Sequence, residues 1–349
     1  MSTSFVRCPP LLLVLVTAAA CGTDSTSAPS KAPVTASLTV DASQSVVYVR
    51  LGATAQVVTV ADALTSSAWD LGFFATNVTV NGGAVGPAGV VAYCLCQNAS
   101  ITDAALKDFT VASQLPAFEA VTASVIPPEA SFTGDALNPA ISGWFGGSGA
   151  AATATPARAW LLRRGATTVT LGKFRVTGVA NASAVNVGQV TFEYALQATP
   201  GGAFGASLSR SVDVRSGPVY FDLAAGAVSS GAGTWDLRFS GFEIRTNGGV
   251  SGTGNVSALV DNGTPYADIT APYAATAPAA VFKRDAYSGI FVSQPWYRYN
   301  ITGTDNQIWP TFNVYLVRRG TEVYKVQLTG YYGTSGASRQ IGIRYARLK

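Results

Sequence analysis

Cys94 and Cys96 are the residues whose type and spacing most suggest chemistry. They lie in the segment Ala92-Tyr93-Cys94-Leu95-Cys96, and on a strand both sulfurs would face the same side. Such a pair could ligate a metal or haem iron as thiolates. It is also consistent with a close disulfide formed after export, or with two small buried side chains. A lone Cys-x-Cys lacks the second half of a standard metal site, which favours the structural interpretations.

The sequence lacks most of the residues and motifs that other kinds of catalysis require. It contains no histidine, which removes the usual general base, the commonest metal ligand and every histidine-containing triad. Neither Asp70 nor Asp236 has a second acid at a spacing that suggests a glycosidase pair, so both are interpreted as structural. Phosphate-loop, nucleophile-elbow and dinucleotide motifs are missing. The sequence therefore predicts a protein that is not an enzyme.

Aromatic residues cluster towards the end of the chain. A mainly apolar ligand or a sugar could be held by such side chains, because aromatic rings bury large areas and stack well. The alternative is that alternate members belong to the core of a sheet, where aromatic residues are common; the sequence favours this alternative. The candidates are Trp296, Tyr297, Tyr299, Trp309, Tyr331 and Tyr332.

One motif occurs twice and organises the rest of the chain. Trp69-Asp70-Leu71-Gly72-Phe73 leads to Asn81-Gly82-Gly83, and Trp235-Asp236-Leu237-Arg238-Phe239 leads to Asn247-Gly248-Gly249. The apolar residues alternate as in a half-buried strand, then change phase at the same place in both copies. That change predicts a β-bulge or a break, and Asn-Gly-Gly predicts a tight turn with positive φ.

Composition supports a sheet protein. The chain has 349 residues, of which 48% are hydrophobic and 12% charged, and its many β-branched residues and glycines favour sheets over helices. The formal net charge of +4 is spread out, without a block of Lys or Arg. Nucleic acid is therefore excluded as a partner, and the Arg-Arg-Gly sequences at 163–165 and 318–320 are interpreted as hairpin turns.

The N-terminal residues resemble those of a bacterial lipoprotein. An apolar run from Leu11 to Ala20 suits the core of a signal peptide at residues 1–20 and is too short to span a bilayer. Small residues precede Cys21, the expected lipid attachment site. Residues 21–36 are rich in Ser, Thr, Ala and Pro and predict a flexible tether. Lipid on Cys21 would be the anchor of an outer-membrane or cell-surface protein.

The repeated motif, the aromatic segment and the C-terminal strands together resemble the HmuY family of bacterial surface lipoproteins, several of which bind haem. The resemblance covers most of the chain as two tandem copies. It implies two mostly antiparallel β domains, at residues 37–200 and 211–349. The later segments that carry the resemblance are Pro295–Tyr299, Val314–Gly320, Val323–Leu328, Tyr331-Tyr332 and Ile343–Tyr345.

The resemblance implies a non-enzymatic surface binding protein for haem or a related porphyrin, with a TonB-dependent receptor as partner. The paired His and paired Met modes of the family are excluded, because His is absent and Met1 is the single methionine. Tyr or Cys side chains would be the remaining ligands for iron. The alternative is the same scaffold without haem: a surface module for a glycan, a protein or another nutrient, or a structural envelope lipoprotein.

Overall fold

The computed structural model describes residues 34–349. The predicted signal peptide, the lipid site at Cys21 and the tether up to residue 33 lie outside the described residues. Residues 34–349 form one compact unit. The mostly antiparallel β class predicted from the sequence is confirmed.

Strands dominate the described residues, and they fall into two matching series of twelve. The first series is β1 Ala36–Asp41, β2 Val47–Arg50, β3 Gln56–Val58, β4 Leu71–Phe74, β5 Asn77–Val80, β6 Val91–Cys94, β7 Ala136–Asn138, β8 Phe145–Gly146, β9 Thr153–Ala154, β10 Ala159–Arg164, β11 Thr170–Ala180 and β12 Gln189–Leu196. The second series is β13 Leu208–Asp213, β14 Val219–Asp222, β15 Ala227–Ser229, β16 Leu237–Ser240, β17 Glu243–Thr246, β18 Ser257–Asp261, β19 Ala286–Ser288, β20 Tyr297–Tyr299, β21 Ile308–Pro310, β22 Val314–Arg319, β23 Glu322–Tyr332 and β24 Ser338–Arg347.

Helices are short and lie in the connections. The α-helices are α1 Asp103–Leu106, α2 Leu115–Glu119, α3 Ala271–Ala275 and α4 Ile290–Ser293, and 3₁₀ turns cover Ala123–Val125, Glu129–Ser131, Gly149–Ala151, Tyr266–Asp268 and Ala279–Val281. Thr102 and Thr270 cap α1 and α3 by accepting a backbone N–H with their side chains. None of the helices in residues 34–349 is long and apolar enough to cross a membrane.

The two large sheets each combine strands from both series. One has the order β1-β24-β23-β22-β6 and the other β13-β12-β11-β10-β18. The first strand of each series therefore pairs with the last strand of the other, as Ala36 with Tyr345 and Val190 with Val212 show. The boundaries predicted for the two sequence copies stay a prediction, but in space the sheets are built across them.

Each series thus contributes strands to both large sheets, an arrangement that we call the exchange of strands. As a result, the structure has two buried cores. One core contains residues between 40 and 94 together with residues between 291 and 345, and the other contains residues between 141 and 258. We call residues 36–135 with 289–349 the first module and residues 139–285 the second module. Each module also contains a smaller four-stranded sheet built from one series alone. Its strand order is β3-β2-β4-β5 in the first module and β15-β14-β16-β17 in the second.

The chain passes between the modules through β7 and β19, which we call the crossing strands. They pair antiparallel, with Leu137 opposite Tyr287. A buried aspartate stands just before each crossing strand: Asp135 is 3% exposed and Asp285 is 2% exposed. Two chemically similar segments, one from each series, therefore meet at this point of the molecule.

The repeated Trp-Asp motif is a hairpin in both copies. Strands β4 and β5 are separated by two residues, and so are β16 and β17. Ala75 and Gly241 take positive φ values of 51° and 54° in these turns. The phase change in the sequence is thus a break between two strands and not a bulge, because a two-residue hairpin reverses the chain.

The Asn-Gly-Gly segments allow close backbone contact as well as a turn. The Asn81 side-chain amide donates to the Trp69 carbonyl oxygen over 2.9 Å. A Cβ on Gly82 would lie 2.0 Å from the Val90 carbonyl oxygen, and Gly83 has a φ of +67°. The predicted positive φ is therefore found at the second glycine, whereas the first is needed for space. Gly248 and Gly249 repeat this arrangement.

The aspartate of each Trp-Asp motif is paired with an arginine from the other series. Asp70 accepts from Arg319 at 2.5 Å and from the Leu51 N–H at 2.7 Å. Asp236 accepts two bonds from Arg164, at 2.7 and 2.9 Å. A carboxylate removed from water needs such compensation. Both aspartates are held in ion pairs, and their partners are arginines of the Arg-Arg-Gly sequences that the sequence analysis interprets as hairpin turns.

The Asp236–Arg164 pair gives a test of this architecture. Arg164→Ala leaves a buried carboxylate without its charge partner, so the free energy of unfolding should fall by about 3 kcal/mol. Denaturant unfolding measures the change, with Arg163→Ala as the matched control because the structure gives the Arg163 side chain no ion pair among residues 34–349. Equal losses for the two variants would contradict the assigned role.

Candidate functional site

The two candidate cysteine ligands are joined to each other. Cys94 and Cys96 form a disulfide whose Cα atoms are 5.0 Å apart. Cys94 ends β6 and lies opposite Tyr315 of β22. Of the alternatives that the sequence left open, the structure has the disulfide, and in this form neither sulfur is a thiolate that can ligate iron.

The candidate aromatic residues belong largely to the core and to the β20–β21 hairpin. Trp296 is 1% exposed and donates its indole N–H to the Thr76 carbonyl oxygen over 2.9 Å. Tyr297 and Tyr331 pack beside it, with ring centroids 5.3 and 6.5 Å from that of Trp296. Tyr299, at 58% exposure, lies outside this group. Trp296 thus lies in the core with Tyr297 and Tyr331 packed against it, whereas Tyr299 is exposed.

Trp309 and Tyr332 complete the same hairpin region through hydrogen bonds. The Trp309 indole N–H donates to the Asp305 carboxylate over 2.9 Å, and the Ile308 N–H donates to the Tyr332 hydroxyl over 3.1 Å. These bonds use the polar atoms of both rings within the protein. Their role in the fold accounts for the aromatic cluster without a ligand.

A cavity of about 390 Å³ lies elsewhere, between the outer face of the β2–β4–β5 sheet and the segment around β19. The sheet contributes Tyr48, Gly72 and Thr79, and the opposite wall contributes Asp135, Tyr287 and Val292. The lining is mainly apolar with a few polar groups. That volume and composition are typical of small-molecule sites, and the cavity is our candidate functional site.

Gly72 is the residue that opens the cavity. It pairs with Tyr48 across β4 and β2, and Arg238 pairs with Tyr220 at the matching position of the second module. The Arg238 guanidinium lies over the Tyr220 ring, 5.6 Å from its centroid. Because Gly72 has no side chain, the Tyr48 ring, which packs against Trp69 with 4.8 Å between ring centroids, lacks an arginine over it and lines the cavity. At this position the two modules therefore differ, with an arginine over the tyrosine ring in one and a glycine in the other.

The two aspartates at the crossing strands differ in their hydrogen bonds. Asp285 accepts from the N–H groups of Ala140 and Thr246 and from the Thr246 hydroxyl. Asp135 accepts one bond, at 2.8 Å from the Val80 N–H. Burial raises the pKa of Asp135 to about 7, with only that bond to offset it, and burial also raises the pKa of Asp285. Both carboxyls thus gain protons more readily than exposed acids do.

The phenols of the cavity are poor iron ligands. Burial is the largest cause that raises the pKa of Tyr48 and of Tyr287 above the ordinary value, so both hold their protons more firmly, whereas a tyrosine that binds iron does so as phenolate. Residues 34–349 contain no group of three or more His, Cys, Asp or Glu side chains placed to hold a metal ion. The donor set of the cavity therefore does not fit ligation of haem iron.

A family model matches the C-terminal part of the chain. Residues 216–345 match the model of the HmuY family, described as HmuY protein. The matched residues run from β14 to β24 and contribute strands to both modules. No curated protein matches the chain.

Three solved structures illustrate the similarity of the chain to known proteins. A Bacteroides vulgatus protein described as HmuY-like and haem-binding is 16% identical, with 37% of this chain and 83% of that chain covered and a TM-score of 0.16. The apo HmuY analogue of Tannerella forsythia is 14% identical, with coverage of 37% and 88% and a TM-score of 0.14. A Bacteroides fragilis protein described as a lipoprotein is 15% identical, with coverage of 45% and 88% and a TM-score of 0.14.

Sequence reasoning did not single out the residues of the cavity. Tyr48, Gly72, Asp135 and Tyr287 are far apart in the chain, and the exchange between the modules is what brings them together. A signal was present in the repeat itself, where Gly72 stands in one copy and Arg238 in the other. A second signal was the shared pattern Phe-x-x-Asp-Ala, which begins at residues 132 and 282.

The raised pKa of Asp135 predicts how stability depends on pH. The folded protein holds this proton up to about pH 7, whereas the unfolded chain loses it near the ordinary value of 3.8. Stability should therefore fall as pH rises from 4 to 7, by up to about 1.4 kcal/mol per pH unit from this group, and then level off. Asp285 contributes in the same direction.

Urea unfolding between pH 4 and 8 checks this dependence. Asp135→Asn should flatten the slope, because the amide does not titrate and its oxygen can still accept the Val80 N–H. An Asp135→Asn protein with the slope of the unchanged chain would show that Asp135 is not the titrating group.

Proposed function

We propose that the chain is a lipid-anchored cell-surface binding protein that holds a mainly apolar small molecule in the Gly72 cavity. The observation that carries this proposal is the Tyr48 ring that lines a mainly apolar cavity without an arginine over it, at the place where Arg238 covers Tyr220 in the second module. A protein gains nothing in stability from leaving apolar surface open to water, whereas a ligand gains by covering it.

The family match supports binding and not catalysis. HmuY-type proteins are binding proteins, and residues 216–345 carry the match. The cavity offers one buried acid with few partners, two tyrosines and apolar walls, a set suited to holding a molecule. The lipid anchor at Cys21, the outer-membrane location and a TonB-dependent receptor as partner belong to the same proposal and rest on the leader sequence and the resemblance.

Haem capture is the narrower form of the proposal that the family suggests. The residues present do not supply iron ligands for it: histidine is absent, Met1 is the single methionine, and Cys94 is bonded to Cys96. A porphyrin held by this chain would therefore be held by contacts with its ring, and the iron would add nothing to its affinity.

A fluorescence titration tests the site. Nile red added to the soluble form starting at Gly22 should show saturable binding, and Gly72→Arg should weaken it at least tenfold, because the arginine would cover Tyr48 as Arg238 covers Tyr220. Gly342→Arg is the matched control, since a Cβ on either strand glycine meets a threonine hydroxyl, 2.8 Å from Thr79 Oγ1 at Gly72 and 2.7 Å from Thr329 Oγ1 at Gly342, and Gly342 is outside the cavity.

Two results separate a blocked cavity from a damaged fold. Val292→Trp, which adds bulk at a 56% exposed position of the lining, should also weaken binding, and both variants should keep a cooperative thermal transition. Equal Nile red binding by the unchanged chain and by Gly72→Arg would overturn the assignment of the site.

Parallel titrations with haemin and iron-free protoporphyrin IX test the role of iron. The account predicts dissociation constants within about threefold of each other, because no donor is available to the metal. Absorbance and tryptophan quenching report the two titrations. Haemin binding ten or more times tighter than protoporphyrin IX would show that a protein group ligates the iron.

A further inference from the structure

Asp135 is the least satisfied carboxyl of the crossing region. Its Oδ2 atom accepts the Val80 N–H, and the structure gives its Oδ1 atom no hydrogen-bond donor among residues 34–349. Oδ1 lies against Gly289, where a Cβ would come within 1.8 Å of it. Both Asp135 and Gly289 line the cavity. Oδ1 therefore packs closely beside the Gly289 backbone at the wall of the cavity and has no hydrogen-bond donor from residues 34–349.

The corresponding aspartate shows what a purely structural carboxyl looks like here. Asp285 has donors on both oxygens, from Ala140 and from Thr246. The two residues precede matching crossing strands, so the difference between them is not a requirement of the fold. A ligand in the cavity that supplies a donor to Asp135 Oδ1 would therefore form a hydrogen bond that the fold itself leaves unmade.

The charged side chains around the cavity determine which kind of hydrogen-bond donor a ligand can place beside Asp135. Among the described residues that line it, Asp135 and Asp285 are the charged side chains, and Lys and Arg are absent. An anionic group placed beside Asp135 would meet another acid and no compensating cation. A cationic nitrogen would instead form a charge-assisted hydrogen bond in apolar surroundings, where such bonds are strongest.

We propose that the ligand of the Gly72 cavity is an amphipathic amine, an apolar body carrying one cationic nitrogen that Asp135 Oδ1 receives. This inference rests on the proposed function, because it assigns a ligand class to the same cavity. The apolar body lies between the sheet face at Tyr48 and the wall at Tyr287 and Val292. Asp135 is thus the residue that determines specificity, and Gly72 is the residue that gives access.

The titratable and charged groups near Asp135 determine whether a pH-dependent change in amine affinity can be assigned to it. The wall at β19 presents Tyr287 and Asp285, the sheet face presents Tyr48, and Asp62 and Arg245 lie further out as charges acting on the two tyrosines. With its pKa raised to about 7, Asp135 gains its negative charge between pH 6 and 8. The phenols stay neutral throughout that range, so a change in amine affinity there reports on the aspartates.

Displacement of Nile red by three matched probes tests the inference. The probes are n-octylamine, 1-octanol and octanoate, which share an eight-carbon chain and differ in the charge of the head group. At pH 8 the amine should displace the dye at a concentration at least tenfold lower than the alcohol requires, and octanoate should be the weakest. The advantage of the amine over the alcohol should shrink at pH 6.

Asp135→Asn should remove this preference, whereas Asp62→Asn should retain it, because Asp62 is exposed and its carboxylate accepts from Leu64 and Thr65. An amine preference that survives Asp135→Asn would overturn the inference. Equal displacement by all three probes, with Gly72→Arg still blocking the dye, would overturn it and leave the proposed function standing. Nile red binding that is unchanged by Gly72→Arg would overturn both the inference and the proposed function.

Discussion

The structure depends on two buried acids that each receive an arginine from the other half of the chain. Asp70 needs Arg319, and Asp236 needs Arg164, and each partner comes from the opposite series of strands. A carboxylate taken out of water without its cation costs several kcal/mol. The same arginines end β22 and β10, the strands that pair within each large sheet with β6 and β18 of the other series, so the ion pairs support the joining of the two series in each sheet.

The exchange of strands creates the candidate site as a by-product. Because the chain must cross twice between the modules, β7 and β19 pair at the crossing and bring Asp135, Asp285 and Tyr287 against the small sheet of the first module. The two sides of the crossing then diverge. One side is filled by Arg238 and has its aspartate fully bonded, and the other has Gly72 and an aspartate with one bond. The two matching regions thus differ in the side chain over the tyrosine and in the hydrogen bonds of the aspartate.

Much of the local structure could be predicted from the sequence, because alternation, hairpin turns and glycine positions are local properties. The Trp69 and Trp235 strands, the positive φ at Gly83 and Gly249 and the mostly antiparallel class follow from such patterns. The exchange of strands does not follow from local patterns, because β1 has the same alternation and burial whether it pairs with β12 or with β24. The contrast between Gly72 and Arg238 is visible in the repeat. It indicates a cavity only when residues 285–292 are known to form the opposite wall, and that placement is not a local property of the sequence.

The most direct measurement is a crystal structure of the chain with 2-(4-bromophenyl)ethylamine, located by the anomalous signal of bromine. The account predicts one site in the Gly72 cavity, with the bromophenyl group between Tyr48 and Tyr287 and the nitrogen about 2.7–3.2 Å from Asp135 Oδ1. The face of Tyr220 beneath Arg238 should remain empty. Bromine at the β20–β21 hairpin with an empty Gly72 cavity, or bromine in the cavity with its nitrogen turned away from Asp135, would contradict the account.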